Sequence, residues 1–414
     1  MIGRLKSSSL EAIFLLSPCF IAWGLIFNLS DVKHILSKLI SLICVYCFFF
    51  YKEEIFSKIN KHSLFLSFLF FVGCYFSFLH YYNDGHFDFA RAVFACFFYF
   101  LLVPSRVFNS KNLALLISLA SVITIGKGIY DSNILDGMRI GRIVNSGPYA
   151  YICGLLLITQ MGFFVSELKE KRYPLILFHS LVSAFLVYII YLTGTRSAWL
   201  GLMLVLLYFS VYLFKNKGVT KGVIFSLIII FIAINFMNIK YTHDRIALSI
   251  NEVNMMINGN YNASAGTRVD LWRNGISIGS NSVLFGVSRS EEIKAVQKSY
   301  EQKHLQFDAY RILNHSRSSY HNVYVQSFVK GGLVAFFLML TWVFLLILFR
   351  KRDRLKVSAP ITIMTVICSG FESLFTIYSS CAYFYLLIIG YLIIMDRSDD
   401  KVMAQVTRYK REVA

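Results

Sequence analysis

Charged residues are scarce in this chain. Asp, Glu, Lys and Arg make up 15% of its 414 residues, whereas soluble domains carry about 25%. Hydrophobic residues make up 57%, and 39 of the residues are Phe. This composition excludes an ordinary soluble globular domain and indicates an integral membrane protein.

Several motifs of nucleotide and metal chemistry are also missing. The sequence has no Walker phosphate loop and no Asp-x-Asp pair to hold a metal beside a nucleotide sugar. His and acidic residues do not occur at a metal-ligand spacing such as His-Glu-x-x-His. We therefore expect no metal and no other cofactor. A reaction carried out by this chain then has to use a substrate that is already activated.

Cysteine and basic residues exclude two further classes. None of the eight Cys lies in the long polar segment 238–322, so a disulfide framework outside the membrane is not expected. The formal net charge is +18, but no basic patch is interleaved with aromatic residues on a soluble domain. Nucleic acid is therefore not an expected partner.

Apolar segments recur along the chain. Runs of about 18 or more predominantly apolar residues are typical of membrane-spanning helices. The sequence predicts an all-α polytopic integral membrane protein with about twelve transmembrane helices, in which residues 1–414 form a single integral membrane domain. The predicted spans are 10–28, 33–51, 63–81, 88–103, 111–128, 148–166, 174–192, 198–214, 221–238, 323–348, 359–378 and 381–395.

The distribution of Lys and Arg predicts the orientation of these spans. With a cytoplasmic N-terminus, the segments on the cytoplasmic side carry 23 Lys and Arg, and the short segments on the opposite side carry 5. Short cytoplasmic loops are enriched in these residues. We therefore expect both termini in the cytoplasm and residues 238–322 on the outer side, which in a bacterial inner membrane is the periplasm.

One extramembrane segment is much longer than the others. Residues 238–322 contain an amphipathic pattern at 243–258, with apolar residues at a spacing of three to four. A second short helix is predicted from about Thr267, and a capping box at Ser288 predicts a third helix at about 289–313. We expect these helices to lie near the outer membrane surface as a lid over a cavity, with the active site in this region.

Arginine and histidine at the outer boundary are the candidate functional residues. Arg196 lies in a very short outer loop, and Arg268 lies at the start of a loop helix, where backbone N–H groups also bind anions. Arg139 and Arg142 occupy another outer loop, and His321 lies where the long loop meets the next span. A neutral imidazole there can accept a proton. The alternatives are arginines that reach lipid headgroups and a histidine bonded to the backbone.

Lys330 falls inside the predicted span 323–348. An ionisable residue at that depth either pairs with an acidic group or faces an aqueous cavity. We expect a buried structural pair, with an acidic group such as Glu372 of the next span as its partner.

The candidate residues suit a particular kind of substrate. Guanidinium groups match the oxygens of a diphosphate through bidentate, charge-assisted hydrogen bonds. Several arginines and one base at the mouth of a helix bundle therefore favour a lipid-linked diphosphate whose sugar is transferred to a hydroxyl. Such a donor needs neither a metal nor a nucleotide.

Three stretches of the sequence resemble the bacterial O-antigen ligase superfamily, and the predicted topology resembles it as well. The stretches are Thr193-x-Thr195-Arg196-Ser-Ala-x-Leu200, Gly266-Thr-Arg268-x-x-x-Trp272, and His321-Asn322 followed by Lys330-Gly331-Gly332-Leu333. The resemblance implies a metal-independent, inverting glycosyltransferase. It would transfer O-antigen from undecaprenyl diphosphate to a sugar hydroxyl of lipid A–core at the periplasmic face of the inner membrane.

The resemblance also implies roles for individual residues. His321 matches the catalytic base of the family, and Arg196 and Arg268 match its diphosphate-binding arginines. Arg142 matches a further arginine of the family. Ser319 stands where many members carry a second His, so a role for that side chain is not implied here.

Two other functions stay open on the sequence alone. An O-antigen polymerase has a similar topology and the same donor, and Arg268 followed by Gly279 fits an arginine–glycine pattern of some polymerases. A transporter of polyprenyl-linked glycan would carry out no chemistry. The lack of an internal repeat and the single large outer loop speak against the transporter.

Overall fold

The apolar segments of the chain fold as helices. The structure, a computed structural model, describes residues 9–29, 32–85, 87–134, 139–141, 145–217, 240–315, 318–350 and 353–395. Within these ranges every regular element is helical and no strand occurs. The expectation of an all-α protein is therefore confirmed for the part of the chain that the structure describes.

The helices are numbered here in chain order. They are α1 (Ser9–Phe20, continued by a π turn at Ile21–Leu25), α2 (Val32–Tyr82), α3 (Asp88–Leu102), α4 (Ser110–Ile134), α5 (Ser146–Glu170), α6 (Tyr173–Leu192), α7 (Arg196–Lys217), α8 (Lys240–Ile257), α9 (Ser264–Gly279), α10 (Arg289–Glu301), α11 (Phe307–Asn314), α12 (Val323–Val343), α13 (Leu345–Phe349), α14 (Ser358–Phe371) and α15 (Ser379–Met395).

Six helices of the described ranges are long and apolar enough to cross a membrane, namely α2, α4, α5, α6, α7 and α12. The apolar helices α1, α14 and α15 are shorter. These helices identify the chain as an integral membrane protein, while the number of twelve spans stays a prediction. The predicted span 221–238 lies outside the described residues.

Helix α2 differs from the sequence prediction. Spans 33–51 and 63–81 were expected to be joined by a loop at 52–62. The helix is interrupted at Tyr51 (φ −132°, ψ 19°) and at His62 (φ −121°, ψ 21°), close to these predicted boundaries, but the joining segment between the two breaks is itself helical. The joining segment contains no Gly or Pro and is rich in Lys and Glu, which are good helix formers. The charged segment is therefore a helical connection between two kinks.

Helices α9, α10 and α11 belong to the segment that the sequence predicts on the outer side, called the outer segment below, and they share a hydrophobic core of their own. Buried side chains from α9, α10 and α11 pack against Tyr320 and against Val329 of α12. The capping box is present, because Ser288 accepts a hydrogen bond from the Glu291 backbone. The predicted helix at 289–313 is wrong in one respect, since a turn with Lys303 at φ +59° separates α10 from α11.

Helix α12 is broken where the outer segment packs on it. Gly332 has φ +63°, and a Cβ atom there would lie 2.2 Å from the carbonyl carbon and oxygen of Leu284. The backbone N–H of Leu333 donates to the carbonyl of Val283 at 2.8 Å, and that of Val287 donates to the carbonyl of Val329 at 2.8 Å. The pair Gly331–Gly332 thus lets the 283–287 loop approach the break in α12. The backbone of the loop then forms hydrogen bonds with helix groups that have lost their partners within the helix.

A buried ion cluster also joins the outer segment to α12. Glu292 of α10 is fully buried and pairs with Lys330 and Arg289, while Tyr320 donates to it at 3.0 Å. Burial is the largest single effect and raises the pKa of the Glu292 carboxyl, but the charges and hydrogen bonds of Lys330 and Arg289 together outweigh it, so the pKa lies below its ordinary value. The expected buried pair of Lys330 exists, but naming Glu372 as its partner was wrong, because α10 covers this part of α12.

Candidate active site

A cavity of about 570 Å³ lies where α8 and α9 meet the ends of α5, α7, α12 and α14. Its charged and titratable lining residues are Arg139, Arg196, Glu252, Arg268, His321 and Glu372. The structure therefore brings together three of the four candidates, Arg196, Arg268 and His321, together with Arg139. Arg142 lies outside the described residues.

Arg196 is the first residue of α7, directly after the tight turn at 193–195, in which Gly194 has φ +60°. Its guanidinium donates to both carboxylate oxygens of Glu252, at 2.8 and 3.0 Å. This bidentate pair ties α8 to the bundle. The hydrogen bond from Arg196 lowers the pKa of the Glu252 carboxyl below its ordinary value.

Arg268 lies in the N-terminal part of α9 and approaches the cavity from the other side. Its Nη1 donates to Ser264 Oγ at 3.0 Å, and its Nη2 donates to Glu372 Oε1 at 3.2 Å. Its Nε is buried without a hydrogen-bond partner among the described residues, and so is Thr195 Oγ1. Buried donors normally find an acceptor, so two unsatisfied donors at one cavity favour a ligand with anionic oxygens.

His321 is held in a tight turn just before α12. Its backbone has φ +48°, a left-handed conformation in which non-glycine residues are uncommon. Asn322 follows it and caps α12, because its side chain accepts from the backbone N–H groups of Tyr324 and Val325. The imidazole Nδ1 lies 3.1 Å from Glu372 Oε2, and the His321 side chain is 25% exposed. Such backbone outliers cluster at functional sites.

Glu372 is the site residue whose partners sequence reasoning missed. It follows α14 directly, is 8% exposed, and bridges Arg268 and His321 through its two oxygens. Gly147 in the first turn of α5 makes room, because a Cβ atom there would lie only 3.0 Å from the Glu372 side chain. An acidic residue at the end of a membrane helix was the available signal, but it was assigned to Lys330.

Residues Gly275–Gly279 form a Gly-x-Ser-x-Gly pattern. In hydrolases this pattern forms a sharp strand-to-helix turn that exposes the Ser. Here it lies inside α9, where Gly275 packs on Tyr320, Gly279 packs on Phe328, and Ser277 is exposed away from both contacts. The glycines thus serve close packing, and Ser277 is not placed as a nucleophile.

The charge balance of the cavity favours an anion. Three guanidinium groups and two carboxylates line it, beside one imidazole. Within the described ranges, no group of three or more His, Cys, Asp or Glu is placed to hold a metal ion. Arginines and the unsatisfied Thr195 hydroxyl are suited to phosphate oxygens.

The fold and this cavity define a polytopic membrane protein with an arginine-lined cavity beneath α8 and α9. The model of the O-antigen ligase family matches residues 181–340, from within α6 to within α12, and this range includes Arg196, Arg268 and His321. The resemblance is thereby confirmed over residues 181–340, which match the O-antigen ligase family. No curated protein matches the chain.

Proposed function

We propose that this chain is an O-antigen ligase. It transfers the O-antigen glycan from undecaprenyl diphosphate to a sugar hydroxyl of lipid A–core at the periplasmic face of the inner membrane. The observation that carries the proposal is the meeting of Arg196, Arg268 and His321 in one cavity within the family match. These residues are far apart in the sequence, so their convergence is independent support for a common site.

The arginines bind the leaving group in the proposed reaction. Arg196 and Arg268 bind the diphosphate and stabilise the negative charge that grows as the bond from the anomeric carbon to the diphosphate oxygen breaks. The exposed Arg139 lines the same cavity and is an additional cation for this group. Arg142 is a further proposed contact to the diphosphate. No metal is required in this scheme, because the guanidinium groups supply the positive charge.

His321 is the general base in the proposed reaction. It takes the proton of the acceptor hydroxyl while that oxygen forms a bond to the anomeric carbon, from the side opposite the diphosphate. The configuration is inverted in a single step, and undecaprenyl diphosphate leaves. Base assistance of this kind contributes about 10²–10⁴-fold.

Purified His321→Ala protein tests the assignment of the base. We expect the variant to bind the undecaprenyl-diphosphate-linked donor as the wild type does, while transfer to lipid A–core falls by about 10²–10⁴-fold. His304→Ala is the matched control, because His304 is in the same outer segment but does not line the cavity. Transfer by His321→Ala at a near wild-type rate would refute the base assignment.

The lipopolysaccharide of a deletion strain separates ligase from polymerase. Loss of long chains from lipid A–core, with polymer retained on the carrier lipid, is the expected result for a ligase. Core bearing a single repeat would instead identify a polymerase. Accumulation of donor on the cytoplasmic side would identify a transporter.

The proposed orientation is tested by thiol labelling. In a variant whose exposed Cys74 is replaced by Ser, a membrane-impermeant maleimide on intact spheroplasts should label Lys298→Cys in α10 and leave Lys169→Cys in α5 unlabelled. Both positions should react after the membrane is permeabilised. The reverse pattern in intact spheroplasts would place the cavity on the cytoplasmic side.

A further inference from the structure

Glu372 makes contacts that distinguish it from an ordinary ion-pair partner. One oxygen accepts from Arg268 Nη2 at 3.2 Å, and the other lies 3.1 Å from His321 Nδ1. Its side chain is 8% exposed. A buried carboxylate is costly unless it is paired and hydrogen-bonded, and here both partners are residues of the proposed site.

The surrounding backbone fixes His321 relative to Glu372. Ser319 Oγ donates to Ser373 Oγ at 3.3 Å, and the backbone N–H of Asn322 donates to the same Ser373 oxygen at 3.3 Å. The Asn322 side-chain amide donates to the carbonyl of Gly370 at 3.0 Å. The turn that carries His321 is therefore tied on both sides of Glu372 to the end of α14.

We propose that Glu372 is a positioning residue for glycan transfer: it accepts the Nδ1 proton of His321 and so leaves Nε2 as the unprotonated nitrogen facing the cavity. This inference rests on the proposed function, in which His321 is the base. The tautomer of a histidine is set by the hydrogen bond of its other nitrogen. A carboxylate accepts only, so it selects the form with the proton on Nδ1.

The proton and charge balance of the step is complete with these groups. The acceptor oxygen bonds to the anomeric carbon, its proton moves to His321 Nε2, and the electron pair of the broken C–O bond leaves with the diphosphate. Glu372 stays ionised and stabilises the imidazolium that forms. The imidazolium then releases its proton to water, which regenerates the base without another reactant.

The contact with Arg268 has an opposite effect on donor binding. While Glu372 accepts from Arg268, it occupies a guanidinium N–H that the diphosphate would use. Removing the charge of Glu372 should therefore free Arg268 for the donor while it impairs the base. A lower kcat combined with a lower donor KM is a signature that loss of folded protein does not produce, because an inactive fraction lowers the apparent kcat and leaves KM unchanged.

Steady-state kinetics of purified Glu372→Gln protein test the proposal, with donor and acceptor varied separately. The amide is isosteric, and its NH₂ group can donate to Nδ1 and favour the wrong tautomer. We expect kcat to fall at least about 10-fold, within the share that a general base contributes, while donor KM does not rise. In the His321→Ala background, Glu372→Gln should cause no further loss of kcat, because the two residues act as one unit.

Three results would overturn the proposal. In the first, the kcat of Glu372→Gln stays within about 3-fold of wild type while the kcat of His321→Ala falls by the factor expected for a general base. This result would refute the role of Glu372 and leave the proposed function intact. Another is a rise in donor KM with kcat unchanged, which would limit Glu372 to donor binding. Full activity of His321→Ala would overturn the base assignment and this inference together.

A glycine variant provides a second test that leaves every charge in place. Gly147→Ala puts a Cβ atom about 3.0 Å from Cγ, Cδ and Oε1 of Glu372, and so displaces the carboxylate by a few tenths of an ångström. Gly126→Ala in α4 is the matched control, since nothing lies within 4 Å of its added Cβ. We expect a lower kcat for Gly147→Ala and an unchanged kcat for Gly126→Ala. Equal kcat values for the two glycine variants would contradict the positioning role, and this test also serves if Glu372→Gln does not fold.

Discussion

At the scale of single residues, the cavity holds its arginines paired with carboxylates. Arg196 pairs with Glu252, and Arg268 pairs with Glu372. A guanidinium beside a low-dielectric membrane boundary is costly without an anionic partner. The carboxylates therefore stand in the positions that an anionic ligand would use, and a diphosphate has to exchange with them.

The geometry of Arg196 leads to a prediction about charge and shape. Both Arg196→Ala and Arg196→Lys should weaken donor binding and transfer, because a point charge cannot replace the planar fork that gives bidentate hydrogen bonds. Donor dissociation constants and transfer rates of the two purified variants measure the effect. If both variants keep full activity, Arg196 does not bind the donor and serves only to attach α8 through Glu252.

The buried hydroxyl of Thr195 leads to a second prediction. Thr195→Val should raise donor KM roughly fivefold, because one hydrogen bond to a phosphate oxygen contributes about 1 kcal/mol. Thr362→Val is the matched control, since Thr362 Oγ1 is equally buried and unsatisfied among the described residues but does not line the cavity. Equal KM values in the two variants would show that the Thr195 hydroxyl does not bind donor.

At the scale of elements, α8 covers one side of the cavity. Its side chains Leu248, Glu252 and Met256 line the cavity, while Ile250 and Ile257 are exposed. An amphipathic helix with an exposed apolar face suits the membrane interface. The pair of Glu252 and Arg196 is therefore a polar attachment of a helix whose opposite face is apolar and exposed.

The pKa of Glu252 predicts how this attachment depends on pH. Because the hydrogen bond from Arg196 lowers this pKa in the folded protein, the stabilisation is complete above the ordinary carboxyl pKa and is lost as the pH falls through the lowered value. Hydrogen exchange of α8 amides, corrected for the intrinsic rate, should therefore increase only at acidic pH. In Glu252→Gln, α8 should exchange faster at neutral pH and lose this acid dependence; an unchanged profile would contradict the attachment.

The break in α12 predicts a strong effect of a small substitution. Gly332→Ala should lower the free energy of unfolding by more than about 1 kcal/mol, because the residue has positive φ and its Cβ would collide with the Leu284 backbone. Thermal unfolding in detergent, compared with Gly126→Ala, measures this loss. A variant as stable as the control would mean that the 283–287 loop can move away at little cost.

At the scale of the whole molecule, a helical bundle carries an outer segment with its own hydrophobic core. The two parts are joined by the break in α12, the Glu292 cluster and the attachment of α8. The cavity lies at their junction. In the proposed reaction, the two lipid-anchored substrates meet there.

This arrangement predicts transfer without metal or nucleotide. In the proposed reaction, the arginines supply the charge for the leaving group, and the diphosphate donor is already activated. Transfer in proteoliposomes with purified donor and lipid A–core should continue in excess EDTA and without ATP. Activity that disappears on chelation and returns with Mg²⁺ or Mn²⁺ would contradict the role given to Arg196 and Arg268.

Much of the fold was predictable because the hydropathy of a segment depends only on the residues of that segment. The predicted spans 148–166 and 174–192 correspond to α5 (Ser146–Glu170) and α6 (Tyr173–Leu192). The boundary position of Arg196 was also readable from the sequence. The helical conformation of the joining segment 52–62 was not, because a charged segment of good helix formers has the composition of either a loop or an exposed helix.

The sequence by itself determined the helical membrane architecture and the candidate residues Arg196, Arg268 and His321, since composition and position relative to the spans identify them. Only the tertiary structure decided the partners: Lys330 pairs with Glu292, and Glu372 bridges Arg268 and His321. These pairs join residues far apart in the chain. Their contacts depend on how helices rotate and pack against one another, which the hydropathy of one segment does not specify.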